Sequence, residues 1–114
     1  MIWPHCIECQ LKHNSAGDIV IMREGAGITI KDSTYMITSN EEPYVSIPKF
    51  EEESENPVGE WNSYDIISEN GNLEVIVNGV IQNIGSTMKL TEGKIALQSE
   101  GSPMQFRKIY LEPL

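Results

Sequence analysis

A chain of 114 residues, 39% hydrophobic and 22% charged, has the length and composition of one globular domain with a single core. Its 8 Lys and Arg against 17 Asp and Glu give a formal charge of −9, which disfavours nucleic acid and anionic lipid as partners. The sequence contains no run of about 18 apolar residues, so no membrane-spanning helix is predicted. The first ten residues lack the basic and apolar segments of a signal peptide.

Short runs of alternating apolar and polar residues, separated by turn residues, recur along the chain, whereas the apolar spacing of a helix is nearly absent. Regularly spaced strands of this kind are typical of an antiparallel sandwich or barrel. The predicted strands lie near residues 5–13, 18–22, 27–31, 34–38, 44–48, 61–68, 73–78, 80–84, 94–99 and 104–111.

The first predicted strand contains a C-x-x-C pair, Cys6 and Cys9. Residues three apart in a strand point to opposite faces, and no second cysteine pair completes a tetrahedral zinc site. Two reduced cysteines are therefore the favoured interpretation, with a redox or zinc motif as the alternative. His13, at the end of this strand, is a possible metal ligand, but a surface or structural role is favoured.

The stretch FEEESENPVGE (residues 50–60) is the least regular part of the chain and is rich in glutamate. It lacks the spaced Asp or Asn residues and the Gly of a calcium loop. We therefore predict a solvated, mobile loop, with a calcium site as the alternative. Further along, Asn78 and Gly79 separate two β-rich runs, and both residues tolerate the positive φ angles of a type I′ turn, which predicts a tight hairpin.

Two of the predicted strands have one apolar and one polar face. In the strand near 5–13 the apolar face is Ile7, Cys9 and Leu11, and the polar face is Glu8, Gln10 and Lys12. In the strand near 94–99 the apolar side chains are Ile95 and Leu97, and the polar face is Ala96, Gln98 and, just beyond the strand, Glu100. Such faces are most often solvated, but amides bind hydroxyl groups in both directions and carboxylates act as acids or bases, as a carbohydrate site requires.

Three stretches together, residues 6–22, 57–83 and 93–114, resemble the 3-keto-disaccharide hydrolase family. The resemblance implies an all-β fold, the antiparallel concanavalin A-like lectin/glucanase sandwich (jelly roll), and an extracytoplasmic setting, periplasmic or secreted. The strands that precede residue 5 in such domains have no counterpart. Residues 1–114 are therefore expected to form a single, partial sandwich domain.

The resemblance also implies a function, the hydrolysis of 3-keto-glycosides or related disaccharides by elimination and hydration. Glu8 and Glu100 are the predicted catalytic carboxylates, Gln10, Gln98 and Lys12 are the predicted substrate-binding residues, and a divalent cation is a possible cofactor. The alternative is a non-catalytic carbohydrate-binding or self-associating module, because the same sandwich serves lectins. Open sheet edges recruit other chains, so we also expect a homo-oligomer.

Overall fold

The computed structural model describes residues 4–99 and 102–114, and these residues form eight strands and no helix. All strand pairs are antiparallel. The strands are β1 (Cys6–Cys9), β2 (Ile19–Met22), β3 (Gly27–Ile30), β4 (Ser33–Met36), β5 (Tyr44–Ile47), β6 (Tyr64–Glu69), β7 (Asn72–Val77) and β8 (Val80–Ser86). The all-β prediction is confirmed, and within the described ranges no helix is long and apolar enough to cross a membrane.

The strands form two sheets that share one hydrophobic core. The smaller sheet has the order β1-β2-β5, and the larger has the order β4-β3-β8-β7-β6. Ile19 and Ile21 of β2 pack in one buried cluster with Ile28 of β3 and Leu73 and Val75 of β7, so the core lies between the sheets. The result is a lectin/glucanase-like sandwich, in which each strand turns alternate side chains towards the core.

The predicted hairpin at Asn78-Gly79 is confirmed. Asn78 has a φ of 51° and Gly79 a φ of 82°, as a type I′ turn requires, and the turn joins β7 directly to β8. The Asn78 side chain also forms hydrogen bonds with other segments of the chain. Its Oδ1 accepts a hydrogen bond from Ser63 N at 2.7 Å, and its Nδ2 donates to Ser54 O at 2.8 Å. The turn therefore also holds the segment that precedes β6.

Two predicted strands, residues 94–99 and 104–111, are not strands in the structure, and these predictions are wrong. Both segments are exposed along their whole length, including Ile95 (72% exposed) and Tyr110 (72% exposed). Alternation predicts which side chains would share a face, but a strand also needs a neighbour that pairs with its backbone N–H and C=O groups. Arg107 contacts the segment that precedes β6, because its guanidinium lies 3.9 Å from the ring centre of Trp61.

The glutamate-rich stretch was predicted to be a mobile loop, but hydrogen bonds hold its first residues against the sandwich. Gln82 of β8 is fully buried, and its Oε1 accepts a hydrogen bond from Glu51 N at 3.0 Å. Its Nε2 donates to Glu52 O at 2.8 Å and to Ser54 Oγ at 3.0 Å. The side chains of Glu51 and Glu52 are exposed, but the backbone beneath them is held by one buried amide.

Candidate functional site

Glu8 lies on the face of the three-stranded sheet that points away from the core. Ile7 and Cys9, its neighbours in β1, pack against the core cluster, as the alternation predicts. The register pairs Glu8 with Val20 and Val20 with Ser46, and the next row pairs Cys6 with Met22 and Met22 with Tyr44. Because paired residues share a face, six side chains form what we term the Glu8 face: Cys6, Glu8, Val20, Met22, Tyr44 and Ser46.

The polar groups of the Glu8 face stand at its two edges. Glu8 is half-buried on β1, whereas Ser46 and Tyr44 are exposed on β5, with Tyr44 59% exposed. Val20 and Met22 between them are buried, at 4% and 7% exposed. Strands are spaced by about 4.8 Å, so Glu8 and Ser46, two strands apart, are about 10 Å from each other. The face thus carries a carboxylate at one edge, and a hydroxyl and an exposed aromatic ring at the other.

Burial and the charge of Glu8 both shift the pKa values of side chains around β1. Burial and the Glu8 charge raise the pKa of the Cys6 thiol, and the same two causes raise the pKa of Cys9 to about 12. The pKa of Tyr64 is raised by burial and by nearby negative charges, Glu8 among them. Both cysteines are free, and thiols with raised pKa values stay protonated and unreactive at neutral pH. This supports the prediction of two reduced cysteines.

Gln10 follows the last residue of β1 and is tied into the turn that leads to β2. Its Oε1 accepts hydrogen bonds from the backbone N–H groups of Leu11 (3.1 Å) and Lys12 (3.2 Å). Its carbonyl accepts a hydrogen bond from Tyr64 Oη at 3.0 Å. Gln10 therefore shapes the chain next to Glu8, and a contact between Gln10 and substrate stays a prediction.

Two other predicted site residues lie outside the strands. Lys12 is exposed in the turn after β1, and Gln98 is exposed in a segment that forms no strand. Glu100 lies outside the described residues. Gln98 was predicted to lie on the polar face of a strand, and that strand is not present in the structure.

Two residues of the Glu8 face were not identified from the sequence, Tyr44 and Ser46. Their strand was predicted, and the pattern PYVSI contains their alternation with Val45 and Ile47, which face the core. The pattern alone does not say which strand lies beside β2, so it could not place these side chains on the same face as Glu8.

Comparison with known proteins identifies one family. A family model described as the 3-keto-alpha-glucoside-1,2-lyase-like domain matches residues 2–112. The matched range contains all six residues of the Glu8 face, the Asn78-Gly79 turn and most of the exposed carboxy-terminal segment. No curated protein and no solved structure gives a significant match.

Proposed function

This chain belongs to the 3-keto-alpha-glucoside-1,2-lyase-like domain family, and from this premise we propose that it cleaves 3-keto-glycosides at the Glu8 face. Family membership gives the domain a carbohydrate-related function. The observation that carries the finer proposal is the position of Glu8, a half-buried carboxylate on the same sheet face as the exposed Tyr44 and Ser46.

The reaction follows from the chemistry of a ketone at C3 of the sugar. The carbonyl acidifies the C2 proton, so a carboxylate can remove it and leave an enediolate. The electron pair of the C2–H bond then forms the C1=C2 bond, the C1–O bond breaks, and the leaving oxygen takes up a proton from an acid. Addition of water across the double bond completes a net hydrolysis.

We assign the role of base to Glu8, because proton transfer requires a carboxylate held beside the substrate. The Tyr44 ring would pack against the apolar side of the sugar, and Ser46 would bind a hydroxyl group from the far edge of the face. Glu100 is the proposed second carboxylate, and Gln10, Gln98 and Lys12 are proposed to contact the hydroxyl groups. The resemblance to secreted domains leads us to propose an extracytoplasmic location as well.

The proposal is tested by incubating the chain with a 3-keto-glucoside that carries a chromogenic leaving group. We expect release of the leaving group and, in D₂O, exchange of the C2 proton into solvent. The matched control is the same glucoside without the ketone, which should not react because its C2 proton is not acidic. Absence of both release and exchange would contradict the proposed activity.

The second candidate function is carbohydrate binding without catalysis. It is favoured by the exposure of Gln98 in a segment that forms no strand, because the catalytic proposal was based on two polar strand faces. In this case 3-keto-glucosides and unoxidised glucosides would both bind, with perturbation of the Tyr44 environment, and neither would be cleaved.

We also propose that two copies of the chain associate. Each sheet ends in strands with one unpaired side, and the carboxy-terminal segments expose apolar residues such as Leu97 (52%), Ile109 (63%) and Leu111 (79%). Unpaired edges and exposed apolar chain are both typical of association surfaces. We expect sedimentation at micromolar concentration to show a dimer, and a variant with Leu97→Lys and Ile109→Lys to shift towards monomer. A monomeric parent chain would contradict this prediction.

A further inference from the structure

Three potential metal ligands from two distant parts of the sequence meet outside the Glu8 face. His13 lies in the turn after β1, whereas Glu53 and Glu55 lie in the segment between β5 and β6. One ligand atom from each of the three lies within 4.8 Å of the other two. His13 Nδ1 is 3.4 Å from Glu55 Oε1. None of the three residues belongs to the Glu8 face.

The separation of the ligand atoms fits a small divalent cation. Ligand atoms about 2.1 Å from a tetrahedral zinc ion are about 3.4 Å from one another. The distance between His13 Nδ1 and Glu55 Oε1 is 3.4 Å, and all three ligand atoms lie close enough to need only small side-chain movements. The cluster thus provides two carboxylates and one imidazole around a space for one ion.

The burial of Glu55 supplies an independent reason to expect a cation. Its side chain is only 7% exposed, and its two contacts, with His13 Nδ1 and with Ala16 N, are both 3.4 Å long. These distances are longer than good hydrogen bonds to a carboxylate. A buried charge normally requires close pairing or a metal, and the second carboxylate nearby, Glu53, adds repulsion.

Contacts outside the cluster hold the ligands in place. With its amide oriented to donate, Asn14 Nδ2 lies 2.7 and 3.0 Å from the two carboxylate oxygens of Glu53. The Ala16 N–H contacts Oε2 of Glu55 and leaves Oε1 facing His13. Buried Gln82 fixes the backbone just before Glu53. Outer contacts of this type orient the ligands of protein metal sites.

We propose that His13, Glu53 and Glu55 bind one zinc-like divalent cation, which fastens the segment at residues 51–55 to the turn after β1. The imidazole ligand selects a first-row transition metal such as Zn²⁺, because Ca²⁺ and Mg²⁺ take oxygen ligands. Three protein ligands leave a fourth position for water. The inference does not depend on the proposed sugar chemistry, since it concerns other residues and is tested by binding.

The test is a titration of the metal-free chain with ZnCl₂ by calorimetry, in a Cys6→Ser background that removes the more accessible thiol. We expect one Zn²⁺ per chain, at least tenfold weaker binding after His13→Ala, and an increase in Tm with Zn²⁺ that His13→Ala abolishes. His13 is the decisive position because its side chain is 59% exposed, so its removal should not prevent folding. Glu53→Gln, also at an exposed position, should weaken binding similarly.

The matched control is Glu52→Gln, which neutralises an exposed glutamate next to the cluster but outside it. It should bind Zn²⁺ like the parent chain. Equal weakening by Glu52→Gln and Glu53→Gln would show a general effect of negative charge and overturn the proposal. Unchanged Zn²⁺ affinity after His13→Ala, or tighter binding of Ca²⁺ than of Zn²⁺ by the parent chain, would overturn it as well.

Discussion

Glu8→Gln is expected to lower the turnover of a 3-keto-glucoside by about 100-fold or more, the usual contribution of a positioned acid or base. The amide has nearly the same shape as the carboxylate but cannot remove the C2 proton. The effect should appear in kcat rather than in KM, because the hydrogen-bonding shape of the face is retained. Initial rates over a range of substrate concentrations measure both quantities.

A second measurement reports on the charge of Glu8 without any substrate. Because the Glu8 carboxylate contributes to the raised pKa of Cys6, Glu8→Gln should lower that pKa and speed the reaction of Cys6 with a thiol reagent at a fixed pH. Glu69→Gln is the matched control, since it removes an exposed carboxylate from β6 of the other sheet. In the turnover assay with the 3-keto-glucoside, equal rates for the parent chain and for Glu8→Gln would remove this carboxylate from the mechanism.

Gln82→Met is expected to lower the free energy of unfolding by about 2–4 kcal/mol, because it removes the three hydrogen bonds of a fully buried amide. The lost partners are Glu51 N, Glu52 O and Ser54 Oγ. Methionine has a similar volume, so the change reports mainly on the amide. Urea unfolding followed by tryptophan fluorescence measures the loss.

The control for Gln82→Met is Ile81→Met on the same strand, where the side chain is 43% exposed and should contribute little. Since Gln82 holds the segment that carries Glu53 and Glu55, Gln82→Met should also weaken Zn²⁺ binding, although residue 82 is not a ligand. A loss of less than about 1 kcal/mol would show that this segment is held by other contacts, since a single hydrogen bond typically contributes that much.

The sequence by itself determined the features that depend on neighbours along the chain. Alternation in β1 showed which side chains face the core, because successive residues of a strand point to opposite sides. The positive φ angles at Asn78 and Gly79 are a local requirement, so the hairpin was predicted correctly. The resemblance to the family was likewise recognised from three short stretches that occur in the expected order. The family match over residues 2–112 confirmed it.

Only the tertiary structure decided which distant residues meet. The register of β2 with β5 placed Tyr44 and Ser46 on the face of Glu8, and the path of the segment after β5 brought Glu53 and Glu55 to His13. Residues 94–99 alternate as a strand does, yet they form none, because the pairing partner is supplied by the fold and not by the segment itself. Local patterns determine which side chains share a face, whereas the contacts that form a site span dozens of residues and depend on the packing of the whole sandwich.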